Sequence, residues 1–152
     1  MSLRLQAEQV VRAPRDAVWA ALTDVARFEA AARARDPGLA RRPPGPVREG
    51  TRWSGTFGVA GRPRRVEAVL ERMDPESGLR LSADADGMAV TLQAVPSDAP
   101  AGVRLAVATE ARATTFGGRL ALKAAELGRD RMQRTLEERL AAFARRVEAG
   151  AA

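Results

Sequence analysis

The chain has 152 residues, enough for one domain that buries roughly two thirds of its unfolded surface around a single core. It contains no cysteine, histidine or tyrosine, which excludes disulfides, thiolate nucleophiles, imidazole bases and phenolic proton donors. The formal net charge is +6, but the basic residues, all but one of the 25 being arginine, lie in short clusters without interleaved aromatics; they read as a solvated surface, and no nucleic-acid partner is expected.

Residues 3–11 alternate, with Leu3, Leu5, Ala7, Gln9 and Val11 on one face, the period-two mark of a half-buried strand. Ala13-Pro14 ends it. Pro14 suits the first turn of a helix, Asp16 favours the positive N-terminal end, and Val18, Trp19 and Leu22 supply an apolar side. Thr23-Asp24 offers a second N-cap, and VARFEAAARA continues as another short helix until Asp36-Pro37-Gly38 stops it. The Pro-, Gly- and Arg-rich segment that follows predicts a loop with one short edge strand near Leu39 to Arg42, weakly encoded because residues 39–47 carry three prolines.

From Trp53 onward the period is two. Trp53, Gly55, Phe57 and Val59 form one face of a strand, and Gly61-Arg62-Pro63 turns the chain into Val66, Ala68 and Leu70. After the turn at 74–78, Leu79, Leu81, Ala83 and Ala85 alternate with polar residues, and Asp86-Gly87 is a two-residue hairpin signal leading to Met88, Val90, Leu92 and Ala94. Pro96 to Gly102 reads as a polar loop, and Val103 to Ala111 as the last strand of a meandering antiparallel sheet. From about Gly117 to Glu148, Leu122, Ala125, Arg129, Met132, Leu136, Leu140, Phe143 and Val147 recur at about 100° per residue, predicting one long helix of roughly 45 Å. No signal-peptide run and no stretch of transmembrane length is present, so a cytoplasmic protein without an integral membrane segment is expected.

This order, with the segment VVRAPRDAVWAALTD, resembles the START-like (SRPBCC) superfamily, which includes polyketide cyclase/dehydrase-like and Bet v 1-like proteins. The residues that carry the likeness are Val11, Ala13, Pro14, Val18, Trp19, Leu22 and Asp24, with the GTRW strand entry at 50–53. The resemblance covers nearly the whole chain, 1–152, taken as a single domain. It implies an α+β helix-grip fold: a curved antiparallel sheet of six or seven strands wrapped around a long C-terminal helix, two short helices after the first strand, and an internal cavity. Members of the superfamily bind lipids, hormones, sterols and polyketides, and a minority are enzymes.

Alternation places Trp53, Phe57, Leu81, Met88, Val90, Leu92, Leu105, Val107 and Thr109 on the concave face. Core packing is the preferred role for Val90, Leu92, Leu105 and Val107; Trp53, Phe57, Met88 and, from the helix, Met132 and Leu136 are candidate ligand contacts. Arg129 stands on the apolar stripe of the last helix, where a cation must be paired or solvated. Either it points into the pocket and binds an acidic or enolate group, or Gly128 perturbs the helix, or the side chain snorkels out to a glutamate. Thr109 and Gln9 are polar residues on the inner face, able to orient a ligand or to satisfy nearby backbone. Glu67, Glu71 and Glu110 fall on the outward parity, so acid/base catalysis by paired carboxylates has no support, and no metal ligand set or cofactor motif is present. Leu120 and Leu127 point away from the main stripe and call for cover by a loop or by a second copy in a homodimer.

The function expected is binding or transport of a hydrophobic small molecule, lipid-like or polyketide-like. The alternative is a polyketide cyclase/dehydrase-type enzyme using the same cavity, with Arg129 and Thr109 stabilising enolate charge.

Overall fold

Alternating segments become strands and helically spaced ones helices, in the expected order, in the computed structural model, which describes residues 2–59 and 61–150. Strand β1 (Ser2–Val11) is followed by helices α1 (Arg15–Leu22) and α2 (Val25–Arg35), and the short β2 (Ala40–Arg42) by β3 (Arg52–Val59), β4 (Arg62–Asp74), β5 (Gly78–Ala85), β6 (Met88–Ala99) and β7 (Gly102–Ala113). Helices α3 (Phe116–Leu127) and α4 (Arg129–Glu148) close the order. All neighbours pair antiparallel in one sheet, β1-β7-β6-β5-β4-β3-β2. Residues 1, 60, 151 and 152 of the expected domain lie outside the described ones.

Two features differ from expectation. Residues 96–99 extend β6, and the predicted loop shrinks to a tight turn between Ala99 and Gly102, which pair across it. Pro96 is tolerated in that strand because its pairing with β5 has stopped at Ala94, and its carbonyl turns to the Arg15 guanidinium instead. The second difference is the break in the final helix at Gly128, whose amide bonds to Ala125 three residues back. A glycine in a helix interior costs about 1 kcal/mol relative to alanine, and the chain bends there. The long C-terminal helix is α4, and α3 is a separate arm.

Helix α4 lies along β1, which is an edge strand of the sheet among the described residues. Arg129 and Gln133 donate to the Arg4 and Gln6 carbonyls, each at 2.8 Å. The spacing has a geometric cause: four helical residues advance about 6 Å, close to the rise of two strand residues, so an i, i+4 pair on the helix meets i, i+2 on the strand. An exposed edge is thereby covered.

The apolar interior falls into two clusters. One joins Val11, Val18, Leu22, Val103, Leu105, Leu140 and Val147 beneath α1 and α4; the other joins Leu3, Met88, Ala121 and Leu122 beneath α3. The Asp86-Gly87 turn beside the second cluster has both residues at positive φ, 47° and 97°, as a hairpin matched to strand twist requires.

Candidate functional site

Between the concave face of β3–β7, the α2 face and the middle of α4 lies a cavity of about 560 Å³. Its sheet wall is Trp53, Phe57, Val66, Ala68, Leu70, Leu81, Leu92 and Val107, all reached from alternate positions of their strands. Helix α4 contributes Leu136, Leu140 and Phe143, one stripe at three- and four-residue spacing. Small residues make the room: Gly55, Ala68 and Ala94 stand where a filled core would carry larger side chains.

Helix α2 roofs the cavity with Val25, Phe28, Glu29 and Ala32. It makes few close backbone approaches to the sheet, and polar ties hold it instead. Trp53 Nε1 donates to Glu29 Oε2 at 2.7 Å, and Arg41 Nε reaches the same oxygen at 3.0 Å. Past the end of α2, Asp36 accepts from the Thr56 amide at 2.7 Å and the Gly38 amide at 2.8 Å. Those two amides, Thr56 first, hold the Asp36 carboxyl below the usual aspartate range. Position 55 must be small for this contact, since a Cβ there would meet the Phe57 ring and the Asp36 carboxylate at 2.7 and 3.0 Å.

Of the residues singled out in the sequence, Trp53, Phe57 and Leu136 line the cavity. Met88, Met132, Thr109 and Arg129 do not. Met88 is buried with Leu3 and Leu122 in the α3 cluster, and Met132, in the first turn of α4 after the break at Gly128, packs against the same group. Thr109 sits in the ladder between Leu5 and Leu92 but borders a smaller, polar depression with Arg4, Thr91, Glu110 and Arg112. Arg129 is exposed and spends its guanidinium on the β1 edge. Gln9 satisfies the neighbouring Val10 carbonyl. Leu92, Leu105 and Val107, assigned to packing, reach the cavity wall; Val90 does not.

The outward glutamates are surface partners of arginines: Glu71 of Arg80, Glu67 of Arg65 and Glu110 of Arg4. Hydrogen bonds from Ser82 and Arg80 hold Glu71 below the ordinary glutamate range. Among the described residues no cluster of acidic side chains is arranged to hold a metal ion, and no helix is long and apolar enough to cross a membrane.

Sequence reasoning missed Glu29 and Arg139, the charged residues of the wall. A signal existed for both. Glu29 lies four residues after Val25 and three before Ala32, and Arg139 lies three after Leu136, so each falls within an inward stripe.

No family model matches the chain, and no curated protein matches it in sequence. Solved structures match its shape over nearly its full length. The ZhuI aromatase/cyclase from Streptomyces sp. R1128 superposes with a TM-score of 0.66 at 16% identity, over 96% of this chain and 95% of that one. The protein TTHA0849 from Thermus thermophilus gives 0.64 at 22%, over 99% and 100%. Ara h 8.0201 gives 0.55 at 12%, over 99% and 98%. The chain has the helix-grip fold of these structures. Its seven-stranded antiparallel sheet, paired short helices and long C-terminal helix are the expected arrangement, and the cavity occupies the place between sheet and helix.

Proposed function

We propose that the protein binds an apolar small molecule, lipid-like or polyketide-like, in the cavity between the sheet, α2 and α4. The observation that carries this reading is the cavity itself, about 560 Å³ with an almost wholly apolar wall. Ligand pockets typically measure roughly 300–1,000 Å³. Protein interiors are otherwise close-packed, and a void forfeits the dispersion contacts its lining would make. Water is a poor occupant, since it needs two to four polar partners and the wall offers few.

The cyclase alternative gains no residue from the cavity. Thr109 and Arg129, assigned to enolate stabilisation, are elsewhere, and Glu29, held through Oε2 by Trp53 and Arg41, has no second carboxylate beside it on the described wall with which to form an acid/base pair. One neighbour in fold is titled an aromatase/cyclase, but at that identity the likeness extends to the fold alone. Binding without chemistry is the reading adopted.

Of the two covers weighed for Leu120 and Leu127, a loop or a second copy, the homodimer belongs to the same proposal. Phe116, Leu120 and Leu127 stand exposed along α3, by 74, 57 and 92%, and an antiparallel pair of α3 helices would set Arg119 of each copy near Glu126 of the other. Sedimentation velocity giving a monomer at every concentration would remove it.

The neutral probe N-phenyl-1-naphthylamine tests the binding function. Its fluorescence should rise saturably on titration, with quenching of Trp53. A linear, non-saturating response would overturn the proposal.

A further inference from the structure

Glu29 is a carboxylate on the wall of an apolar cavity, only 6% exposed. Burying such a group is costly unless it is paired and hydrogen-bonded. Its two oxygens are treated unequally. Oε2 takes both close partners, Trp53 Nε1 at 2.7 Å and Arg41 Nε at 3.0 Å. Among the described residues Oε1 has only the Arg33 guanidinium at 3.9 Å, beyond hydrogen-bond reach. Among the described residues no fully buried side-chain oxygen or nitrogen lacks a partner, so Oε1 is not sealed off: it remains accessible, with lone pairs to offer. The rest of the cavity wall is apolar side chains apart from Thr23, Ser54 and the Arg139 guanidinium, and among the described residues it carries no second carboxylate.

We propose that Glu29 Oε1 is the specificity element of this cavity, accepting a hydrogen bond from an O–H or N–H donor at one end of an otherwise apolar ligand. The inference rests on the binding function proposed above and names its ligand class: a neutral alcohol, phenol or amine-type donor with a hydrocarbon body. A ligand carboxylate placed against Glu29 is disfavoured, since it would bring a second negative charge to it. The donor group lies at the α2–β3 end, against Trp53, and the body extends towards the sheet and α4. This reverses the polarity expected from Arg129, which would have selected an acid.

A matched pair of probes tests it: 2-naphthol, which carries a hydroxyl donor, and 2-methoxynaphthalene, the same ring system with the donor removed. Affinities are measured for the wild type, Glu29→Gln and Glu29→Leu. The wild type should prefer the naphthol by about tenfold or more, the scale of a hydrogen bond to a charged acceptor. In Glu29→Leu that preference should vanish while the ether binds as before. Glu29→Gln keeps the size of the side chain and an acceptor without the charge, so it should retain an intermediate preference, and it carries the test if the leucine variant does not fold. Equal binding of the two probes to the wild type, or a preference unchanged in Glu29→Gln, overturns the role of Glu29 and leaves the cavity's binding function standing. If neither probe binds the wild type, the binding function fails, and this inference with it.

Discussion

The two ends of the sheet are closed in opposite ways. Beneath α3 the interior is filled: Leu122 and Met88 are 1 and 2% exposed and lock with Leu3 and Ala121. Arg64, buried beside them, ties two hairpins by donating to the Val59 and Asp86 carbonyls at 3.0 and 2.8 Å. Beneath α2 the same sheet is hollow, and Leu92 keeps 41% of its surface free. Apolar packing holds the first end shut. The second is roofed by a helix held through Glu29 and Asp36. Strand alternation runs through both ends, broken at the hollow one by a single bulge between Leu70 and Arg72 that brings Met73 onto the same wall, so side-chain size and the standoff of one helix decide which end becomes a cavity.

The largest effect that can break this comparison comes from equal truncations at the two ends. Leu122→Ala should lose about 3 kcal/mol or more of stability, because a fully packed leucine leaves a cavity behind it. Leu92→Ala should lose less than about 1 kcal/mol, because that side chain already faces open space. Chemical denaturation measures both, and equal losses would mean that the second end is not hollow in solution. A smaller effect is expected for Arg129→Ala. It gives up one hydrogen bond to an edge carbonyl, about 1 kcal/mol at most, and should leave binding of N-phenyl-1-naphthylamine unchanged. A loss of probe affinity there would return Arg129 to the cavity.

The smallest effect concerns pH. Asp36 titrates below an ordinary aspartate in the folded protein, so its tie to Thr56 is fully present above the unfolded value and is lost as pH falls through the lower folded one. Followed by NMR from about pH 6 to about pH 2, the Thr56 amide shift should change with a midpoint below that of an unperturbed aspartate. A midpoint at or above the ordinary value would show that the tie does not hold α2 to β3.

Element order was legible because period and turn chemistry are local. Val11, Pro14 and Trp19 announce the opening strand and helix, and Asp86-Gly87 its central hairpin. The site was legible only in part. Parity places Trp53 and Phe57 on the concave face, but it cannot say how far along that face the void extends, and so it admits Met88 and Thr109 equally. In sequence the stripe on the last helix runs unbroken through Gly128. The bend there gives its first part to the filled end, and the unpartnered carbonyls of Arg4 and Gln6 draw Arg129 and Gln133 outward. Edge carbonyls have no signature in sequence. Glu29 escapes notice because the inward stripe it shares with Val25 and Ala32 is built of small apolar residues and is faint beside the stripe of the last helix.

The central claim is that the hollow end is a binding cavity, and Ala68→Phe tests it most directly. Ala68 faces the void from β4, beside Trp53 across the ladder. Titrating N-phenyl-1-naphthylamine into this variant should show affinity reduced at least tenfold, about 1.4 kcal/mol, with folding stability unchanged or raised. Unchanged probe affinity, together with the roughly 1–3 kcal/mol loss expected when a well-packed core is overfilled, would contradict the account.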